Sequence, residues 1–241
     1  SSMSGYRKYA LFDWDNTIRR GYTLYSWVEY LHQCNITSIH LQKKLEILKQ
    51  QYIKSEITHD QYANKACAEY AKDLAGKKVN EIRQLMDAYI KRDRKSLFPE
   101  MCKLLKELSK RDIDIIVISG APFRILEQYK QEFNLKKIYA FQEEIAKGKF
   151  TGKVASNYGF DKSKKVQELI EQYGTNPYLA FGDSQSDIPL LDNSDYPICV
   201  GDRVKKDGYI NVDFKESVED ILHSQLFSEQ SASNAVIFYI L

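Results

Sequence analysis

Short unbroken apolar runs alternate along this chain with longer stretches whose apolar positions recur every three or four residues. The first run, Tyr9–Phe12, reads as a buried strand. It gives way at once to Asp13, Asp15 and Thr17, and aspartate is disfavoured in strand interiors. From residue 19 to about residue 95 the pattern is helical, with almost no Gly or Pro. Four helices are predicted there, over about residues 23–34, 40–54, 58–74 and 80–94. The third opens on the capping sequence Thr58-His59-Asp60-Gln61.

A different rhythm begins near Phe98-Pro99-Glu100, where Pro99 suits the first turn of a helix running to about residue 111. Asp114-Ile115-Ile116-Val117-Ile118 is continuous and rich in β-branched residues, the pattern of a parallel strand buried on both faces. It closes on Ser119-Gly120-Ala121-Pro122, and a helix is predicted from there to about residue 132. A hairpin over about residues 138–143 and 150–154 follows, turning at Lys147-Gly148-Lys149. Next come a helix over Lys162–Tyr173, ended by Gly174, and a strand at 178–181 running into Gly182-Asp183-Ser184-Gln185-Ser186-Asp187. A short helix to about residue 191 and a strand at Tyr196–Val200 complete the pattern.

Strands alternating with helices predict an α/β fold with a doubly wound, Rossmann-like parallel sheet and right-handed crossovers. The helical block after the first strand predicts an inserted small α-helical domain. The expected boundaries are 5–18 with 96–226 for the α/β core, 19–95 for the insert and 227–241 for a C-terminal tail. That tail ends in an apolar run from Ala235 to Leu241, too short to span a bilayer. It is too apolar to sit comfortably in water, and is expected to pack on the protein.

Composition narrows the function classes. The 241 residues are 43% hydrophobic and 28% charged, the balance of an ordinary globular protein. A net charge of +2, from 35 basic and 33 acidic residues, gives no reason to expect nucleic acid or a membrane surface as partner. No apolar run approaches the ~20 residues that a membrane-spanning helix needs, and the first residues show no apolar signal core. The four cysteines and four histidines are scattered, without metal-site spacing, so no zinc site is expected. A cytoplasmic protein with reduced thiols is the expected setting, as a monomer or homodimer.

Three strand ends carry polar groups of complementary type. The first has Asp13, Asp15 and Thr17; the second has Ser119 and the Gly120 amide; the third has Asp183 and Asp187. A lysine-rich helix start, Lys162-Ser163-Lys164-Lys165, lies between the second and third. Open α/β sheets bind their ligands at such strand ends. Carboxylates converging there repel one another by several kcal/mol at an effective dielectric of about 20. A hard divalent cation such as Mg²⁺ is their natural counterion. Ser119, the Gly120 amide and a lysine ammonium are donors suited to an anionic tetrahedral group. Metal, carboxylate nucleophile and phosphate donors together point to phosphoryl transfer.

With these motifs in place, the chain resembles the haloacid dehalogenase superfamily, and within it the phosphoserine-phosphatase-like subfamily with a helical cap after the first motif. The matching segments are Asp13-Trp14-Asp15-Asn16-Thr17, the apolar strand ending at Ser119-Gly120, and Gly182-Asp183-Ser184-Gln185-Ser186-Asp187. The lone lysine of the third motif is assigned to Lys162, because Val166, Leu169 and Ile170 then follow at helical spacing; Lys165 is the alternative.

The resemblance implies a Mg²⁺-dependent phosphatase acting on a small-molecule phosphomonoester through a phosphoaspartate on Asp13. Asp15 would protonate the leaving alcohol and then activate water. Mg²⁺ would sit at Asp13, the Asp15 carbonyl and Asp183, with Asp187 outside the first shell or bridged by water. Ser119, Gly120 and Lys162 would hold the phosphate oxygens. Asp15 argues for an oxygen leaving group, since the dehalogenases of the superfamily lack this second acid. A phosphotransferase, or a catalytically weak binding protein on the same scaffold, are the other readings.

Where phosphoserine phosphatases carry a glutamate after the first motif, this chain has Arg19-Arg20-Gly21-Tyr22-Thr23-Leu24, and no acid appears until Glu29. This departure, together with Ser186 in the last motif where those enzymes often have Asn, counts against phosphoserine and leaves the substrate open. The paired arginines Arg19 and Arg20 are expected to be solvated. Trp14 and the tyrosines Tyr22, Tyr25 and Tyr30 are expected to be packing residues.

Overall fold

The computed structural model describes residues 6–214, so the expected C-terminal tail lies outside the described residues. Among the described residues, seven strands form one sheet in the order β4-β3-β2-β1-β5-β6-β7. They are β1 (Tyr9–Phe12), β2 (Asp114–Pro122), β3 (Leu135–Ala146), β4 (Lys149–Ser156), β5 (Leu179–Gly182), β6 (Tyr196–Val200) and β7 (Ile210–Val212). All neighbouring pairs are parallel except β3 with β4, which form the expected hairpin. The short edge strand β7 has no distinct signal in the sequence.

β1 lies between β2 and β5, with Leu11 opposite Ile116 on one side and Ala180 on the other. Its alternate residues feed two cores, because successive strand side chains point to opposite faces. Tyr9 and Leu11 join Ile116, Ile118, Val166, Leu169 and Leu190 in one cluster. Ala10 and Phe12 join the other, which holds Val117, Phe181 and most of the buried residues of the helical insert.

Five α-helices occupy the insert: α1 (Thr23–Gln33), α2 (Ile39–Ile53), α3 (His59–Asp73), α4 (Val79–Arg83) and α5 (Met86–Asp93). The fourth predicted helix is thus two, broken at Gln84-Leu85 and followed by a 3-10 turn at Arg94–Ser96. The buried positions Val79, Ile82, Met86 and Tyr89 keep a helical spacing across that break, so apolar periodicity gave no sign of it. The capping box at Thr58 forms as expected: its hydroxyl accepts from the Gln61 amide at 3.1 Å, and the Gln61 side chain accepts from the Thr58 amide at 2.9 Å.

The chain leaves and re-enters the α/β part side by side. Phe98 N–H donates to the Ile18 carbonyl at 2.9 Å and Arg20 N–H to the Ser96 carbonyl at 2.8 Å. Arg19 is buried at this junction, not solvated as expected. Its guanidinium pairs with Asp93 at 2.7 Å, with the two side chains 2% and 0% exposed. Tyr89 donates to one Asp93 oxygen at 3.1 Å and Tyr129 to the other at 2.6 Å. Arg20 is exposed, and its guanidinium lies over the Phe98 ring, 5.4 Å from the centroid.

After β2 the expected helix to residue 132 is reduced to α7 (Phe123–Leu126) and a 3-10 turn at Glu127–Tyr129. The remaining helices are α6 (Pro99–Lys110), with Pro99 in its first turn, α8 (Lys162–Tyr173) and α9 (Ile188–Asp192). Among the described residues, no helix is long and apolar enough to cross a membrane.

Candidate active site

The two central strands end side by side, and their tips carry the acids. Asp13 N–H continues the ladder by donating to the Phe181 carbonyl at 3.0 Å. The loop beyond then folds tightly: the amides of Thr17 and Ile18 both donate to the Trp14 carbonyl, at 3.1 and 2.8 Å. Asn16 makes that turn with a φ of 58°, a left-handed conformation that Asn tolerates better than most residues. Its side chain also accepts from the Gly21 amide at 2.9 Å. Trp14 is fully buried, as expected, and its ring tilts against Tyr129.

Asp13, Asp183 and Asp187 converge, with one carboxylate oxygen from each lying within 4.8 Å of the others. Lys162, the first residue of α8, reaches the same point from the opposite face. Its ammonium lies 2.7 Å from Asp187 and 3.3 Å from Asp13, and its side chain is 1% exposed. Lys165 instead pairs with Glu168 on the outside of the helix. Of the two lysines weighed from the sequence, the fold brings Lys162 to the acids.

The acids are not equivalent. One Asp187 oxygen accepts from Lys162; the other accepts from the amides of Asp183 at 2.9 Å and Ser184 at 3.2 Å. Burial pushes the Asp187 carboxyl up, but the Lys162 ammonium, the contact with Asp13 and the Asp183 amide together outweigh it and hold Asp187 below the usual carboxylate range. Asp13 moves the other way: burial first, then the Asp187 charge, raise it well above that range. Asp183 is pushed up to about 7 by burial and by Asp187. Lys162 is raised despite its burial, because Asp13 and Asp187 face it.

This donor set fits a hard cation, which would offset the repulsion that lifts Asp13 and Asp183. Asp13 and Asp183 would face it, the Asp183 oxygens meeting Thr17 at 3.1 Å and Arg203 at 3.4 Å. The Asp187 oxygens are held more closely, by the Lys162 ammonium at 2.7 Å and two backbone amides, which suits a residue that orients Lys162 and the Asp183 loop.

Asp15 sits apart from that cluster. Its Oδ1 accepts from the Thr23 hydroxyl at 2.5 Å and the Thr23 amide at 3.0 Å, at the start of α1. Burial raises its carboxyl above the usual range, against the nearby Arg19 charge. Thr17 donates to Asp183 at 3.1 Å and so ties the first loop to the third.

Ser119 and Gly120 fall inside β2, not beyond its end as expected. The strand runs on to Pro122 with an irregular register against β3 between Ile118 and Pro122, a local distortion of the kind that redirects backbone beside active sites. The Ser119 hydroxyl donates no bond to protein there; it accepts from the Ala121 amide at 3.0 Å.

Two glycines bring backbone very close. A Cβ on Gly159 would stand 2.6 Å from the Gly120 Cα, and one on Gly182 would stand 2.4 Å from the Asp187 Cβ. Gly182→Ala is therefore expected to force Asp187 off its amides. A loss of about 1–3 kcal/mol of stability is expected, typical of overpacking, read as a lower midpoint in urea. An unchanged midpoint would show that the contact relaxes freely.

Asp13, Asp15, Ser119, Gly120, Lys162 and Asp183 all line one cavity of about 790 Å³ between the strand tips and the insert. Asp187 is fully buried just behind them. Several lining residues carried no sequence signal. Arg203, beyond β6, lies 3.4 Å from Asp183 and 3.2 Å from the Tyr22 hydroxyl. Tyr22 and Tyr25, expected only to pack, line the cavity with Tyr52 and Tyr62, whereas Tyr30 does pack, against Trp27 and Tyr89. The Cys67 thiol is also on the wall, but burial pushes it up to about 12, so it stays protonated.

The comparisons agree with this geometry. The family model of haloacid dehalogenase-like hydrolases matches residues 10–192. No curated protein sequence gives a significant match. Among solved structures, a protein of unknown function from Bordetella pertussis Tohama I is similar over 81% of this chain and 90% of its own, at 20% identity and a TM-score of 0.67. A substrate-bound phosphoserine phosphatase complex is similar over 90% of this chain and 97% of its own, at 20% identity and a TM-score of 0.63. A probable phosphoserine phosphatase from Vibrio cholerae is similar over 97% of this chain and 67% of its own, at 15% identity and a TM-score of 0.63. Such identities speak for a shared fold and leave the substrate open. With the family match running from β1 through α9, across both central strand tips and the insert, the chain belongs to the haloacid dehalogenase-like hydrolases.

Proposed function

We propose that the protein is a Mg²⁺-dependent phosphatase of small-molecule phosphomonoesters, with Asp13 as nucleophile and Asp15 as general acid and base. The observation that carries this reading is the convergence of Asp13, Asp183 and Asp187 on the Lys162 ammonium, at the mouths of the two central strands.

Asp13 attacks the phosphorus, the bond to the leaving oxygen breaks, and a phosphoaspartate forms. Asp15 gives its proton to the departing alcohol and then takes one from the water that hydrolyses the acyl phosphate. Its raised carboxyl suits the first of these tasks, and its hydrogen bonds from Thr23 fix its direction. Lys162, the Ser119 hydroxyl and the Gly120 amide hold the non-bridging oxygens, where charge is stabilised during transfer. Asp13 and Asp183 would hold the metal ion, which when bound neutralises phosphate charge and orients the group for in-line attack. The insert covers the opening and supplies the far wall of the cavity.

The test is metal-dependent phosphate release from a panel of alkyl phosphomonoesters. Chelation is expected to stop turnover and added Mg²⁺ to restore it. Full activity after exhaustive chelation would count against the assignment, and absence of turnover on every ester with Mg²⁺ present would favour a binding role.

A further inference from the structure

The cavity is larger than its phosphate end requires. At about 790 Å³ it exceeds what a phosphate and a three-carbon chain fill, and sits within the range of pockets that take drug-sized ligands. Its far wall is built by the insert, where four tyrosines and His59 stand among smaller and aliphatic side chains.

Tyr25, Tyr62 and Tyr52 form a nearly parallel series. The first pair lies 6.1 Å apart at 13°, the second 5.0 Å apart at 21°. Tyr22 meets Tyr25 edge-on at 6.3 Å. Three of these hydroxyls have partners: Tyr62 donates to Tyr25, Tyr25 donates to the Leu45 carbonyl at 3.5 Å, and Tyr22 accepts from Arg203. Much of what remains for a ligand is ring surface.

Aromatic rings attract both flat rings and cations, so charge must separate the two. Among the described residues, no carboxylate lines the cavity beyond Asp13, Asp15 and Asp183, all at the phosphate end. Lys49 and Arg203 stand on the same lining, and Lys49 has no ion-pair partner among the described residues. Glu46 acts on Tyr25 and Tyr62 from behind the wall but is not on the lining, so an ammonium held against the tyrosines would meet these cations with no acid beside it in the cavity.

We infer that the alcohol half of the substrate carries a flat, uncharged aromatic ring, of about the size of a nucleobase, which lies against the Tyr25–Tyr62–Tyr52 wall. This rests on the phosphatase reading above.

The test compares two primary phosphomonoesters with a similar leaving oxygen, adenosine 5′-monophosphate and ribose 5-phosphate, so that the ring is the main variable. With Mg²⁺ present, kcat/KM for the nucleotide is expected to be about tenfold or more above that for the sugar phosphate, the scale of one ring stacking on an aromatic side chain. Tyr52→Leu is expected to pull that ratio towards one, and Tyr52→Phe to preserve it. Equal values for the two esters in the unmodified protein would overturn the inference. So would a higher kcat/KM for phosphocholine or O-phosphoserine, which would make the wall a cation cage. If none of these esters is turned over, the phosphatase reading fails, and calorimetric binding of the same compounds decides this one. Nucleotide binding about tenfold tighter than ribose 5-phosphate supports it, and equal affinity overturns it.

Discussion

Asp13→Asn is expected to end phosphate release, with turnover at least about a thousandfold below the unmodified protein. The amide is nearly isosteric but cannot form the acyl phosphate. It would also remove one of the charges around Lys162, which lies 3.3 Å from Asp13 and 2.7 Å from Asp187. Asp187 keeps its pairing with Lys162, so the protein should still fold, and its denaturation midpoint separates lost chemistry from lost structure. Asp15→Asn is expected to be nearly as damaging on alkyl esters. It should be milder on para-nitrophenyl phosphate, whose leaving group needs little protonation. Retention of a tenth of the turnover by Asp13→Asn would sink the covalent mechanism.

Asp93→Ala should produce the largest loss of stability, about 3–5 kcal/mol, the usual cost of removing one partner from a buried ion pair. The substitution strands the Arg19 guanidinium, 2% exposed, in the interior. It also removes the acceptor of Tyr129 and one acceptor of Tyr89. Because Tyr89 belongs to the insert and Tyr129 to the α/β part, this network joins the two at their shared junction. Replacing both charges, as Arg19→Met with Asp93→Leu, should recover much of the loss, since a well-packed apolar pair avoids the desolvation of two ions. Urea unfolding measures both. A loss under about 1 kcal/mol for Asp93→Ala would mean that water reaches the site and that the junction is held by its backbone bonds.

The α/β frame was legible because parallel strands write themselves as unbroken apolar runs; Tyr196–Val200 and Lys162–Tyr173 have the limits that the pattern predicts. The acids were legible through their joint occurrence: a single aspartate at a strand end is often a turn or a cap, but four of them recur at two strand exits. Lys162 was legible only through the helix it opens.

The residues that the sequence hid share a property. Arg203 meets Tyr22 and Gly159 meets Gly120, neighbours distant in the chain that nothing adjacent marks. Arg19 was misread because an arginine pair in a linker resembles a solvated one, and the acid that buries it lies 74 positions away. The break at Gln84-Leu85 was invisible because it changes direction without disturbing apolar spacing.

The central place of β1 also sets when this protein can begin to work. Asp13 is synthesised well before its partners: its strand is flanked by β2 and β5, and Thr17 bonds to Asp183, 166 positions later. At a translation rate of about 5–20 residues per second, that interval is roughly ten to thirty seconds. Until it has passed, the emerging chain holds Asp13 and Asp15 without Asp183 and Asp187. So many distant pairings also imply slow folding relative to a helical bundle of this size. The nascent chain therefore carries no competent centre, and activity begins only with the closing of the sheet's middle.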